Sequence, residues 1–313
     1  MNVLLRRHLV AVVAALFALA VGIALGGGPL SYVSGDETST ASDEPEPDAT
    51  QAPGTEAEAD TPASSRFAEW FASAAAARLY DKALLGHPTV IVAAPGVEPA
   101  LVDAMVTEVA AAGGGLTGVF QITEQAVDRD ETSLVDDLGS QLMTQIDDDA
   151  VDPAAPTYLR LGQLLSVAVA TPLKGGRRAD TAAQTVRAGL STGGLLTGPG
   201  EARLAPLVLV LLPPHTDQEP ETAAAEQAVY LGLATGLRAN AAGTVLLGDS
   251  ESGANGLLAD LREDATLTSS ISTVDSGETA LGRVTAMLAL IGSLDGGVGT
   301  FGESVANGAV PVS

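Results

Sequence analysis

The longest apolar stretch of the chain lies near its amino end and predicts a membrane-spanning helix. Residues 9–30 contain no charged side chain. A helix rises about 1.5 Å per residue, so this length matches the roughly 30 Å hydrocarbon thickness of a bilayer. Arg6 and Arg7 precede the stretch, and the next charge is Asp36. The pattern predicts a cytoplasmic basic segment at residues 1–8 and an extracytoplasmic location for everything after the helix.

A cleaved signal peptide is the alternative interpretation of this amino end. Ala18-Leu19-Ala20 resembles the small-residue site at which such peptides are cut. A cut there would leave an apolar core of only about nine residues. The apolar run continues past it through Ile23 and Leu25, which favours an uncleaved signal anchor. Both interpretations place the bulk of the chain outside the cytoplasm.

Two glycines inside the membrane segment have the spacing of a helix-packing motif. Gly22 and Gly26 form a G-x-x-x-G pair, which lets two membrane helices approach closely. The pair predicts a homo-oligomer formed through the transmembrane helix. The alternative is that both glycines merely reflect a composition rich in glycine and alanine.

Residues 31–65 have the composition of a disordered acidic linker. Between positions 36 and 65 there are nine acidic residues, four prolines and no Leu, Ile, Val, Met or aromatic residue. Such a segment buries too little apolar surface to offset the entropy lost on ordering. We expect an extended tether between the membrane and a folded domain.

Apolar runs alternate with helical repeats over residues 66–293, which predicts an extracytoplasmic α/β domain. The first helix is predicted from Phe67, Trp70 and Phe71, which recur at helical spacing. Continuous apolar runs are typical of parallel strands buried on both faces. We expect a mostly parallel sheet of about five strands flanked by helices, with strands near residues 89–94, 116–122, 207–212, 244–247 and 270–274.

Two further features subdivide this part of the chain. Three consecutive aspartates and two prolines indicate a sub-boundary near residues 147–156. Residues 294–313 are rich in glycine and are predicted to form a flexible tail.

Composition excludes several classes of function. The net charge is −24 and the pI about 4.2, so the chain repels nucleic acid, and we exclude that partner. There is no cysteine, which excludes a disulfide framework and a thiolate metal site.

Polar residues follow several predicted strands and form the candidate metal site. Ligands of open parallel sheets bind beyond the carboxyl ends of the strands. His215, Asp249 and Asp275 stand at three such ends and could hold a cation through nitrogen and oxygen. The alternative is that the aspartates cap helices. For Asp275, the spacing to Glu278 resembles a capping box.

A hydrolase is the least supported class. Gly248-Asp249-Ser250 follows a strand, but Gly253 lies one residue too far for a nucleophile turn. Histidines that could act as a base are also scarce, with only three in the chain. We therefore predict that the protein is not an enzyme.

Copper ligands are not recognisable in the sequence. Cuprous copper prefers thiolate and thioether ligands. The methionines are Met1, Met105, Met143 and Met287, of which Met105 and Met143 are predicted to lie in helix cores. The residues themselves therefore establish no cofactor.

Both ends of the chain nevertheless resemble the actinobacterial copper transporter family, the MctB-like proteins. At the amino end the similarity covers Arg7-His8 and the run from Leu16 through the glycine-rich exit to Leu30. At the carboxyl end it covers Ser272-Thr273-Val274-Asp275 and Gly299-Thr300-Phe301-Gly302. One departure is the linker, since the family usually continues from the membrane into a charged, coiled-coil-like helix.

The resemblance implies an envelope protein of copper efflux or tolerance, described in the family as a channel-like outer-membrane component. It also implies a link to a membrane-protein partner at the division septum. One membrane helix cannot form a pore without oligomerising, so the residues favour an anchored domain over a channel. Two functions stay open: copper transport, and a non-enzymatic scaffold in envelope biogenesis or cell division. The predicted partners are the bilayer, a second copy and an envelope membrane protein.

Overall fold

The computed structural model describes residues 63–146, 151–305 and 310–311. The predicted basic segment, the membrane helix with Gly22 and Gly26, and most of the acidic linker lie outside the described residues. Within the part of the chain that is described, no helix is long and apolar enough to span a bilayer.

The described residues form an α/β domain, which confirms the predicted fold class. Its strands are β1 (Thr89–Ala93), β2 (Leu116–Ile122), β3 (Leu196–Thr197), β4 (Leu207–Leu211), β5 (Gly243–Leu247), β6 (Ser272–Val274) and β7 (Thr300–Phe301). Its helices are α1 (Ala63–Leu79), α2 (Pro99–Ala111), α3 (Glu124–Val127), α4 (Thr132–Met143), α5 (Thr157–Val169), α6 (Thr181–Thr192), α7 (Pro220–Leu237), α8 (Ser250–Asn255), α9 (Leu257–Arg262), α10 (Ala265–Thr268) and α11 (Ala280–Gly292). Short 3₁₀ turns lie at Arg129–Glu131, Arg238–Asn240 and Ser293–Asp295.

The strands form one sheet in the order β3-β2-β1-β4-β5-β6-β7. Every neighbouring pair is parallel except β2 and β3, which are antiparallel. In β1, β4 and β5 every residue is buried, as expected for strands covered on both faces. The order changes direction between β1 and β4, so their carboxyl ends border a crevice of the kind that binds ligands in open α/β sheets.

The sheet has seven strands rather than about five, because two short edge strands were missed. β3 and β7 each contain two residues, too few for a periodic apolar pattern to show. β7 lies inside the predicted flexible tail, so residues 300–301 of that segment are part of the sheet. It pairs in parallel with β6, placing Thr300 beside Thr273 and Phe301 beside Val274. The two carboxyl-terminal segments that carry the family resemblance therefore lie side by side.

The described residues belong to one compact unit. Residues 147–150 of the predicted sub-boundary lie outside the described residues. Val151, next to them, is buried and belongs to the same hydrophobic core as the sheet. The core is therefore continuous across this part of the sequence.

The first helix is present, but its aromatic face does not point into the core. Helix α1 begins at Ala63, three residues before the predicted start of the domain, and packs against α11. Its buried side carries Ala72, Ala76 and, just beyond the helix, Tyr80. Phe67, Trp70 and Phe71 are all largely exposed.

Candidate functional site

The carboxyl edge of the sheet carries the residues singled out from the sequence. Strand β4 is followed by Pro213, Pro214 and His215, β5 by Gly248 and Asp249, and β6 by Asp275 and Ser276. These turns lead into α7, α8 and α11. The structure brings His215 and Asp249 together and places Asp275 in a different network.

Asp249 caps a helix and ties two loops together. Its Oδ1 accepts a hydrogen bond from the backbone N–H of Ser252 at 2.6 Å, which caps α8. Its Oδ2 accepts from the backbone N–H of His215 at 2.7 Å. Both oxygens therefore satisfy backbone donors that helix and loop would otherwise leave unpaired. The capping alternative is confirmed for this residue.

Asp275 is fully buried and does not cap α11, so the capping-box prediction is wrong. The cap is Thr279, whose hydroxyl accepts from the N–H of Gly282 at 3.0 Å. Asp275 instead accepts hydrogen bonds from the Ser276 hydroxyl at 2.8 Å, from the Glu303 backbone N–H at 2.7 Å and from the Ser304 hydroxyl.

Arg262 completes this network as the charged partner of Asp275. Its Nη1 lies 3.0 Å from Asp275 Oδ2, and its Nη2 donates to the Phe301 carbonyl at 2.8 Å. Burial alone would raise the pKa of Asp275, but the hydrogen bonds from Ser304, Ser276 and Arg262 hold it below its ordinary value. The carboxylate is therefore ionised and fully used in fastening β7 to β6.

His215 lies on the other side of this edge. Its Nε2 is 3.6 Å from Asp217 Oδ1, and its ring rests against the backbone of Gly256. A Cβ at position 256 would lie 2.3 Å from His215 Nδ1, so the contact requires glycine there. No hydrogen bond joins the imidazole to Asp275 or Ser250 within the described residues.

The predicted set of His215, Asp249 and Asp275 is therefore not gathered around one point. In residues 63–146, 151–305 and 310–311 there is no group of three or more His, Asp or Glu side chains placed to hold a metal ion. Met105 and Met287 are fully buried in the core, which confirms the prediction for Met105. The donor set described here does not fit cuprous copper, which prefers soft sulfur ligands.

An acidic cavity of about 680 Å³ opens at this edge beside His215. We define the acidic cavity by its charged lining, which has five carboxylates and neither lysine nor arginine: Asp217, Glu226, Glu251, Asp260 and Glu303. Burial raises the pKa of Glu226, opposed by a hydrogen bond from Gln218 and by His215. A lining of this sign attracts cations and repels anionic ligands.

A second cavity, of about 910 Å³ and mostly apolar, lies between α1 and α11. Trp70 and Leu281 supply its apolar lining, and Arg66, Glu278 and Glu303 supply charges. We call it the apolar cavity. Glu303 borders both cavities, so the residues after β7 form a wall shared by the two.

Ser276 forms a strained turn between the two cavities. Its φ of 63° lies in the left-handed region, which a non-glycine residue adopts at a cost of about 1–3 kcal/mol. Its hydroxyl donates to Asp275, and the Ser250 hydroxyl lies within hydrogen-bond distance of both Ser276 Oγ, at 3.1 Å, and Glu278 Oε1. The Ser250 hydroxyl thus has carboxylate and hydroxyl partners here.

Sequence reasoning missed Arg262, Ser276 and the residues after β7. The spacing of Arg262 and Asp275, 13 positions apart, matches no helical or strand repeat. The sequence held one indication of this network, namely the two carboxyl-terminal segments that resemble the copper transporter family. Asp275 belongs to one of them and Gly302 to the other, and the two residues are in contact. A Cβ at position 302 would lie 2.3 Å from Asp275 Oδ1.

Comparison with known proteins agrees with the resemblance found at the two ends. A family model described as "Copper transport outer membrane protein, MctB" matches residues 3–312. The chain is 28% identical over 329 residues to proteins named "Copper transporter MctB" from Mycobacterium bovis and from two strains of Mycobacterium tuberculosis, CDC 1551 and H37Rv. The alignment covers 99% of this chain and 98% of each relative. Since the family model spans almost all of its length, the chain belongs to the MctB family of copper transport outer membrane proteins.

Proposed function

We propose that this chain is a single-pass envelope protein that supports copper tolerance, with its α/β domain outside the cytoplasm. The observation that carries the proposal is the family match, which runs from residue 3 to residue 312 and so includes both the apolar amino-terminal segment and the domain. The family description places its members in a membrane and connects them with copper.

The anchoring part of the proposal rests on the sequence. Residues 9–30 are uncharged and long enough to cross the hydrocarbon core. Arg6 and Arg7 on one side and the acidic linker on the other favour a cytoplasmic amino end.

In this proposal the domain neither binds copper tightly nor catalyses a reaction. Of the three methionines in the described residues, Met105 and Met287 are fully buried and Met143 is partly buried, and there is no cysteine, so the described surface offers cuprous copper at most one soft ligand. His215 and the carboxylates of the acidic cavity offer cupric ions weak contacts of borderline and hard character. Ser250 is hydrogen-bonded to Glu278 and Ser276, which supports a structural role for its hydroxyl.

A non-enzymatic scaffold in envelope biogenesis or cell division is the second candidate. The exposed aromatic side chains of α1 favour it, because large contiguous apolar patches usually mark contacts with other macromolecules. Both candidates share the anchor and differ in whether copper tolerance depends on the protein.

The experiment is a copper challenge of cells that lack the gene. We expect a several-fold lower tolerated copper concentration, restored by the wild-type chain and by His215→Ala. Restoration by wild type but not by His215→Ala would show that the acidic cavity handles the metal. Normal copper tolerance together with chained or misshapen cells would overturn the copper proposal in favour of the scaffold.

A competition titration of residues 59–313 with Cu(I) and Cu(II) separates the role of the domain from that of the whole protein. We expect no binding of Cu(I) and only weak binding of Cu(II), reduced in His215→Ala. Stoichiometric, tight Cu(I) binding would contradict the ligand argument.

A further inference from the structure

We propose that the amino edge of the sheet docks on an anionic bilayer surface and so orients the domain against the membrane. The surface, which we call the basic edge, consists of five exposed basic and three exposed apolar side chains: Arg78, Lys82, Lys174, Arg178 and Arg203, with Leu79, Leu85 and Leu173. The inference rests on the proposed membrane anchor and is independent of copper.

The loop at residues 173–178 lies at the amino ends of two central strands. β1 and β4 are parallel neighbours, so the residues that precede them lie at the same edge of the sheet. A Cβ at Gly176 would lie 2.8 Å from Pro88 Cγ and 2.6 Å from the carbonyl oxygen of Leu204. The loop is therefore in contact with the residues just before both strands.

The turn between α1 and β1 brings further basic and apolar side chains to this edge. The backbone N–H of Leu84 donates to the Ala112 carbonyl at 2.9 Å, and a Cβ at Gly113 would lie 3.0 Å from the Cα of Lys82. The turn is thus held against the residues between α2 and β2. The last turn of α1, which carries Arg78, ends directly before it.

Exposed basic side chains are concentrated at this edge. Seven lysines or arginines of the described residues are exposed, and only Arg66 and Arg129 lie outside the basic edge. Both lysines of the chain, Lys82 and Lys174, belong to it. Asp81 pairs with Lys82 at 3.6 Å. Among the residues that the structure describes, the other four basic side chains have no carboxylate within ion-pair distance: Arg78, Lys174, Arg178 and Arg203.

The net charge of −24 does not prevent this contact. In physiological salt, charges are screened over roughly 8–10 Å. The acidic cavity opens at the carboxyl edge, at the other end of strands with five residues and a length of about 17 Å. Its carboxylates therefore lie more than one screening length from a membrane that touches the basic edge.

Exposed leucines favour a bilayer over a soluble polyanion as the partner. Leu79 is 58% exposed, Leu85 67% and Leu173 56%. Apolar side chains among basic ones suit the surface of an anionic bilayer, because the former enter the acyl boundary and the latter contact the headgroups. The acidic linker of the same chain matches the charge, but residues 36–65 contain no Leu, Ile, Val, Met or aromatic residue to cover the leucines.

The tether is long enough for this orientation. Glu69, near the beginning of α1, accepts a hydrogen bond from the Ala280 N–H at 2.6 Å, so α1 begins at the carboxyl edge. It runs about 25 Å to the basic edge. Residues 31–62 can span about 100 Å when fully extended, which lets the chain pass along the domain to the bilayer. Tethering raises the local concentration, so a weak contact suffices.

The full chain in lipid nanodiscs tests the proposal, because it has no cysteine and accepts single labels. Gly175→Cys places a fluorophore on the basic edge, at an exposed position where a Cβ meets nothing within 4 Å. Ala254→Cys, exposed on α8 at the carboxyl edge, is the control. In nanodiscs with phosphatidylglycerol and a headgroup-nitroxide lipid, we expect strong quenching at Gly175→Cys and several-fold less at Ala254→Cys. The quenching should be lost in phosphatidylcholine alone and at high salt.

Charge-matched substitutions test which side chains are responsible. Lys174→Gln combined with Arg178→Gln should lower the quenching at Gly175→Cys several-fold. Arg66→Gln combined with Arg129→Gln removes the same charge elsewhere on the surface and should leave it unchanged. All four positions are exposed, so the circular dichroism of both variants should match that of the wild type.

Other outcomes would overturn the proposal. Equal quenching at both cysteines, or quenching independent of phosphatidylglycerol, would exclude an oriented, charge-driven contact. Protection of the Gly175→Cys label from a water-soluble quencher in phosphatidylcholine alone would assign the edge to the acidic linker. Leu173→Ser should weaken the contact; full quenching in that variant, displaced by soluble polyphosphate, would assign the edge to anionic polymers.

The anchor and the basic edge are tested separately. Recovery of each variant with the nanodiscs measures membrane anchoring by itself. An unquenched Gly175→Cys label in a chain that is recovered with the nanodiscs would overturn the docking and leave the proposed anchor intact.

Discussion

The hydrogen-bond network of Asp275, which holds β7 against β6, and the acidic cavity lie at the same edge of the sheet. Their carboxylates have opposite roles. Asp275 is fully buried, and its pKa is held below the ordinary value by Arg262 and three further donors. Glu226 lines an open cavity, and burial without a cationic partner on its own helix raises its pKa. The first carboxylate is held by several donors inside the protein, whereas the second lines a cavity and accepts a hydrogen bond from Gln218. An acidic residue at the end of a parallel strand therefore does not by itself indicate a metal site.

The largest expected effect comes from removing the charge of Asp275. In Asp275→Asn, Arg262 is left as a buried charge without its counter-ion, which typically costs about 3–5 kcal/mol of unfolding free energy. Urea denaturation of residues 59–313 measures it. Asp217→Asn, at a fully exposed position of the acidic cavity, is the control and should change stability by less than about 0.5 kcal/mol. Equal stability of the two variants would remove the distinction between the regions.

A smaller loss is expected from a methyl group placed against the same carboxylate. Gly302 has a φ of 120°, and a Cβ there would lie 2.3 Å from Asp275 Oδ1. Gly302→Ala should therefore destabilise the domain by roughly 1–3 kcal/mol through overpacking and backbone strain. Gly200→Ala is the matched control, because a Cβ at position 200 meets nothing within 4 Å. A Gly302→Ala variant as stable as Gly200→Ala would contradict the close packing of β7 on Asp275.

The smallest effects are changes with pH, and their signs should differ between the two carboxylates. The pKa of Asp275 is lowered in the folded state, so its stabilisation is present above the unfolded pKa of about 3.9 and is lost as pH falls below it. The stability difference between wild type and Asp275→Asn should shrink from pH 7 to pH 3. The pKa of Glu226 is raised, so its ionised form is unfavourable in the folded state. Glu226→Gln should therefore stabilise the folded domain by roughly a few tenths of a kcal/mol at pH 7. At pH 4, where the carboxyl group is largely protonated, the substitution should have no such effect.

Denaturant melts at both pH values measure these differences. A loss of stability in Glu226→Gln at pH 7 that shrinks on acidification would show that the carboxylate is stabilised in its charged form, as Asp275 is. In that case the cavity would resemble the buried network rather than contrast with it.

The sequence predicted the central part of the fold well. Strands β1, β4 and β5 are continuous apolar runs, a pattern typical of parallel strands covered on both faces. The structure confirms it, because every residue of these strands is buried. β3 and β7 were missed because two residues cannot show a period, and β7 is held by side chains from distant positions. The cap role of Asp249 followed from its place between a strand and a helix.

The candidate site was predicted less well, for a physical reason. Position at a strand end fixes which edge a residue occupies but not the direction of its side chain. The side chain of Asp275 points into the protein because it forms an ion pair with Arg262, 13 residues earlier in the sequence. No local sequence pattern predicts a pair at this spacing. The outward direction of Phe67, Trp70 and Phe71 was equally hidden, because a helical repeat of apolar residues does not say which of two faces is covered.

The fastening of β7 has a consequence for how the chain is made. Arg262 and Asp275 leave the ribosome before Phe301, Glu303 and Ser304, which supply the hydrogen bonds that complete their burial. A chain interrupted before residue 300 would lack the hydrogen bonds that residues 301–304 make with Asp275 and Arg262, and β6 would have no partner on that side. We expect chains that lack β7 to expose the unpaired edge of β6 and to be degraded.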